Sequence, residues 1–142
     1  SDVCSSDLWS MRGNEGDYNC GYTWQQALDF PGAIQITNVA KRFLMDHKWH
    51  QWIPNGNSIL GIGEGENLKT AVTTESNDMV IVYFSNNSNC EVTNILKKDA
   101  EAYWFYPRDG QKENIAHFKV NESRDMIPPD GWEDAILVLR VD

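Results

Sequence analysis

The spacing of apolar residues changes near residue 51. Before it, apolar side chains recur at helical intervals. Residues 23–28 place Trp24 and Leu28 on one face of a short helix. Pro31 and Gly32 then precede Ile34, Val39, Phe43 and Leu44. Proline pre-sets the first helical turn, and the apolar spacing predicts an amphipathic helix from there to about Met45. Lys41 and Arg42 stand near its end, where cations favour the helix dipole.

After residue 51 the pattern becomes one of short extended runs separated by turn chemistry. Residues 70–74 follow the glycine-rich stretch GIGEGEN, and residues 79–84 (MVIVYF) form an unbroken apolar run. Such a run predicts a strand buried on both faces. Residues 91–96 alternate moderately. The aromatic run 102–106 (AYWFY) ends at Pro107-Arg108-Asp109-Gly110, where proline sets one turn dihedral and glycine supplies a positive φ. Residues 113–120 and 134–141 complete the series. Spacings of about 8–12 residues favour an antiparallel sandwich, and no later helix offers a βαβ crossover. The expectation is a mainly β fold, an antiparallel β-sandwich preceded by one or two helices.

A chain of 142 residues has room for one domain, or for a small domain and part of another. Hydrophobic residues make up 41%, enough for a packed core. The net charge of −9 argues against nucleic acid and against an anionic membrane surface, which both need clustered Lys and Arg. No apolar run approaches the roughly 20 residues of a membrane-spanning helix, and no basic-then-apolar stretch opens the chain. Cys4, Cys20 and Cys90 follow no disulfide or metal spacing.

Candidate chemistry is sparse. Glu64 and Glu66 flank Gly65 on the glycine-rich loop, a place for calcium binding or for an acid/base pair. Calcium asks for several more oxygen ligands at regular spacing, and a glycosidase pair asks for a fixed separation across a cleft. A solvated loop is the simpler reading. Gly61, Gly63 and Gly65 lack the following helix of a phosphate cradle. His47 and His50 are three apart, and neither they nor His117 have a third ligand at motif distance, so no metal or other cofactor is implied. No nucleophile motif is present. Aromatics remain: Trp49, Trp52, Tyr103, Trp104, Phe105 and Trp132 offer flat faces for sugar rings. Alternation puts Trp104 and Tyr106 on one strand face and Tyr103 and Phe105 on the other. Packing is the commoner role for aromatics at strand spacing.

The stretch GYTWQQALDFPGAIQITNVAKRFLMDHKWHQWIP, residues 21–54, resembles the end of the apiosidase-like glycoside hydrolase barrel. The remainder resembles the β-sandwich called the putative collagen-binding domain, through VIVYF, WFYPRDG and the closing GWEDAILVL. Residues 1–8 (SDVCSSDL) resemble a translated sequencing adapter and are left out of fold reasoning. The resemblance implies three segments: adapter-like residues 1–8, the remnant of a catalytic (β/α)8 barrel over 9–48, and the C-terminal sandwich over 49–142.

It also implies a secreted or periplasmic parent that hydrolyses polysaccharide, with its catalytic carboxylates on earlier barrel strands. A full barrel takes about 250 residues, so no catalytic residue is assigned to this chain. Residues 18–21 resemble a loop bordering the sugar pocket, which makes Tyr18, Asn19 and Trp24 candidates for its lining. Asn19 and Cys20 depart from the family pattern there. Trp49, Trp52, Trp104 and Tyr106 are the candidates for an interdomain contact or for a ligand-facing platform. The expected partner is the N-terminal barrel of the same longer chain. The rival expectation is a module that binds polysaccharide or a matrix protein through exposed aromatics, and a weaker one is an enzyme built on Glu64 and Glu66.

Overall fold

Pro31 begins the longest helical run. The computed structural model describes residues 24–61 and 69–142, in two units that divide between Met45 and Asp46. In the first, α1 (Trp24–Ala27) is a single turn. Phe30 is extended (φ −69°, ψ 145°), as a residue before proline must be, and α2 (Pro31–Gln35) follows. The helix widens into a π-helical turn over Ile36–Ala40, where the Lys41 N–H reaches back to the Ile36 carbonyl. Thr37 Oγ1 donates to the Ala33 carbonyl at 3.0 Å in the turn before, a side-chain competitor for the regular ladder. α3 (Lys41–Asp46) ends the run. The expected helix is therefore present, one residue longer and with a widened middle.

The second unit is an antiparallel sandwich. One sheet has six strands in the order β1-β2-β3-β8-β5-β6, and the other pairs β4 with β7. The strands are β1 (Trp52–Pro54), β2 (Lys69–Thr74), β3 (Met79–Phe84), β4 (Cys90–Thr93), β5 (Ala100–Phe105), β6 (Lys112–Phe118), β7 (Ser123–Met126) and β8 (Ala135–Arg140). A one-turn helix α4 (Gly56–Ile59) lies between β1 and β2. Leu60 then bridges to Val92 on the outer side of β4.

Period-two alternation decides which residues form the core. Val80, Val82 and Phe84 of β3, Leu137 and Leu139 of β8, and Ala102 and Trp104 of β5 share one face. Cys90 and Val92 of β4 and Met126 of β7 close over it, with Ile59, Leu96 and Phe118 at the margins. Phe84 and Trp104 meet edge to face at 5.0 Å, the geometry that aromatic quadrupoles favour. The opposite face of the central strands carries Met79, Ile81, Val138 and Phe105, which are also buried. The unbroken run of β3 follows from this two-sided burial.

The turns carry the chemistry their sequences suggest. Asn77 adopts a positive φ of 53° between β2 and β3, a conformation asparagine tolerates. Gly110 (φ 82°) closes the turn after β5, donating to the Tyr106 carbonyl at 2.8 Å. Asn94 ends β4 early: its buried side chain bonds four backbone groups and turns the chain away from the ladder.

Candidate functional site

A dense polar cluster lies at the start of the sandwich. Lys48 adopts φ 54° and opens a 3-10 turn, Trp49–Gln51. A left-handed conformation is costly for lysine, and several bonds hold it there. Gln51 N donates to the Lys48 carbonyl at 2.8 Å, and Glu75 N donates to the Gln51 carbonyl at 2.9 Å. Lys48 Nζ lies 2.5 Å from Asp78 Oδ2. Thr74 Oγ1 and Ser76 Oγ donate to Asp78 Oδ1 at 2.6 and 2.7 Å. The Lys48 ammonium, then the Thr74 hydroxyl, hold the Asp78 carboxyl far below the usual carboxylate range.

Beside it, buried His47 bonds the Tyr103 hydroxyl through Nε2, and Trp52 Nε1 donates to the His47 carbonyl at 2.8 Å. Burial pushes the Tyr103 phenol up to about 12, with Asp46 adding to the rise and Arg140 opposing it. Lys112 Nζ sits 5.3 Å from the Tyr103 ring centre. Residues 47–52 are thus clasped to the β2–β3 turn and to β5. This arrangement positions a segment.

Trp49 is 53% exposed on the clasped turn, with His50 edge-on at 6.3 Å. Trp52 is half-buried with its N–H satisfied. Trp104 and Tyr106 both lie in the hydrophobic core, where Tyr106 stacks on Trp132 at 4.6 Å and 16°. Their rings face packing partners, so the pair offered from alternation presents no platform to solvent. Phe105 is buried and Tyr103 partly so.

Tyr18 and Asn19, like Glu64 and Glu66, lie outside the described residues, and Trp24 is described only as the first residue of α1. His50 and His117 are exposed and apart from His47 in role. Among the described residues, no three His, Cys, Asp or Glu side chains group to hold a metal, and no helix is long and apolar enough to cross a membrane. The clasp itself escaped sequence reasoning. Its partners are 30 residues apart (Lys48 and Asp78) and 56 apart (His47 and Tyr103), and no local signal joins them.

The family described as the putative collagen-binding domain of a collagenase matches residues 53–140, and this chain belongs to it. The solved structures that resemble the chain include two glycoside hydrolases. One is described as a glycoside hydrolase, with 25% identity, a TM-score of 0.72 and 91% of this chain covered. The other is a glycoside hydrolase family 5 protein from Bacteroides vulgatus ATCC 8482, with 21% identity, a TM-score of 0.73 and 90% covered; at that identity it bears on the fold alone. The chain spans 29% of the length of each. No curated protein matches.

Proposed function

We propose that this chain is a non-catalytic accessory part of a larger glycoside hydrolase, which packs against the catalytic barrel and stabilises it. One observation carries the reading. Ten large apolar side chains are exposed among the described residues, and seven of them (Leu28, Ile34, Ile36, Leu44, Met45, Trp49 and Ile53) fall within residues 28–53. The later described residues contribute Tyr83, Val120 and Ile127. Scattered exposed apolar residues are ordinary, whereas so many in so short a stretch favour contact with a partner; five of them belong to the first unit, and Trp49 and Ile53 to the second.

The occupant we assign is the rest of a longer chain. The similar glycoside hydrolases are more than three times the length that this chain spans, and the apolar excess falls in the helical run and the first strand of the sandwich. The clasp suits the same role, because it presents Trp49 on a turn with little freedom left to lose on docking. A parent of this kind meets its polysaccharide outside the cytoplasm, so secretion belongs to the same proposal.

The test is sedimentation and dye binding on the chain as it stands. The reading predicts self-association or strong uptake of an apolar dye. Replacing Met45, Trp49 and Ile53 by Ser should reduce both without lowering the melting temperature. A monodisperse monomer that takes up no dye would overturn the docking role.

A further inference from the structure

Among the described residues, strand β6 ends the six-stranded sheet, and an end strand exposes backbone groups to any second strand that arrives. The ladder fixes which groups those are. Tyr106 N donates to the Gln111 carbonyl at 2.9 Å, and the register continues as Phe105–Lys112, Trp104–Glu113, Tyr103–Asn114 and Ala102–Ile115. Antiparallel pairs alternate between bonded and unbonded, so the N–H and C=O groups of Lys112 and Asn114 point away from β5. Between the Ala102–Ile115 and Ala100–Phe118 pairs, one residue of β5 (Glu101) faces two of β6, Ala116 and His117. That is a β-bulge in the exposed strand.

A side chain from the other layer sits on this bulge. Arg124 of β7 donates through Nη1 to the Ala116 carbonyl at 3.4 Å and through Nη2 to the His117 carbonyl at 3.1 Å. Its guanidinium is held in place from two further sides. It lies 4.2 Å above the Phe118 ring centre, and Glu122 Oε1 accepts from Nη2 at 2.6 Å and from Nε at 3.2 Å. Glu122 is fixed in turn by the Lys119 N–H, 2.7 Å from its other oxygen.

We infer that Arg124 guards the β6 edge against pairing with the β6 edge of a second copy of this chain. The register identifies the partner. Two identical edges that meet antiparallel about Glu113 would set glutamate against glutamate, which is unfavourable. Centred on Asn114, they instead place Lys112 against Ala116 and Glu113 against Ile115, and the outward groups of Lys112 and Asn114 meet outward groups. This second register requires the Ala116 carbonyl as an acceptor for Lys112, and Arg124 already donates to that carbonyl at 3.4 Å while holding the next one, His117, at 3.1 Å. With the guard in place, the free edge shrinks to Lys112 and Asn114, too short for stable pairing.

The test compares wild type with Arg124→Met, which keeps apolar cover over Phe118, and with Arg124→Lys, which keeps charge and stem but cannot span both carbonyls. Sedimentation velocity over a concentration series reads association, and amide exchange reads the edge. Both variants should associate about tenfold or more tightly than wild type, with new protection at the Lys112 and Asn114 amides. Adding Asn114→Pro should abolish the gain, because that N–H points outward and its loss leaves the β5–β6 ladder intact. Unchanged association in both variants would overturn the inference. So would a gain that survives Asn114→Pro, which would place the contact on the apolar segment 28–53 and leave the docking proposal standing by itself.

Discussion

Asn94 is the polar side chain on which the sandwich corner depends. It is fully buried. Its Nδ2 donates to the carbonyls of Lys98 at 3.1 Å and Lys119 at 3.0 Å, with a longer 3.4 Å approach to Phe118. Its Oδ1 accepts the Leu96 N–H at 3.0 Å. Asn94→Ala removes all of these and leaves the backbone partners in place. A net hydrogen bond is worth about 1 kcal/mol, and an unsatisfied buried partner costs about 1–3 kcal/mol. The Leu96 N–H lies in the core, while the Lys98 and Lys119 carbonyls sit near the surface and regain some water. The expected loss is therefore about 3–5 kcal/mol in total, read as a lower urea midpoint with unchanged slope by tryptophan fluorescence. Asn94→Asp should be worse at neutral pH, because a carboxylate oxygen would face the same carbonyls. Faster exchange of the Leu96 amide should accompany either change. A loss below about 1 kcal/mol with that amide still protected would refute the reasoning, since one net bond alone is worth that much.

Three further outcomes follow from the same geometry. Trp104→Ala should cost about 3–5 kcal/mol by urea unfolding, because Trp104 is 3% exposed in the core; a variant as stable as wild type would mean that the indole does not pack there. The depressed Asp78 pKa stabilises the fold above the ordinary carboxyl value of 3.8, and that contribution disappears as the pH falls toward the folded value. Asp78→Asn should flatten stability below about pH 4 and cost about 1 kcal/mol or less at neutral pH, since the ion pair is partly exposed; an unaltered acid profile would exclude the clasp as its source. Tyr103 keeps its proton in the fold up to about 12 against 10.0 ordinarily, so its contribution is complete below 10 and diminishes as the pH rises through 12. Tyr103→Phe should lose that alkaline sensitivity, measured by unfolding monitored beside phenolate absorbance.

Elements written in local pattern were legible from the sequence. β3 matches the MVIVYF run residue for residue, because two-sided burial demands an unbroken apolar stretch. β2 and β8 begin or end within a residue of the expected bounds. The aromatic strand is shifted: β5 is Ala100–Phe105, since small buried Ala100 extends it and Tyr106 already belongs to the turn. The strand expected over 91–96 stops at Thr93 because Asn94 bonds into a loop. β7 (SRDM) was missed; only Met126 among its residues is buried and apolar, and Arg124 serves the neighbouring edge. β1 was missed as well, being three residues that are strand only through pairing with β2. The clasp was illegible for a related reason, since a left-handed Lys48 has no glycine to announce it.

The central claim is that this chain stabilises a catalytic barrel to which it belongs. It is tested most directly on the product of the full reading frame that encodes this chain, with and without residues 46–142, by following the melting of the barrel. The account predicts a barrel that melts several degrees lower and takes up apolar dye when the sandwich is removed, while each folded molecule still hydrolyses glycan. A barrel that melts unchanged, or a reading frame that encodes no barrel, would contradict it.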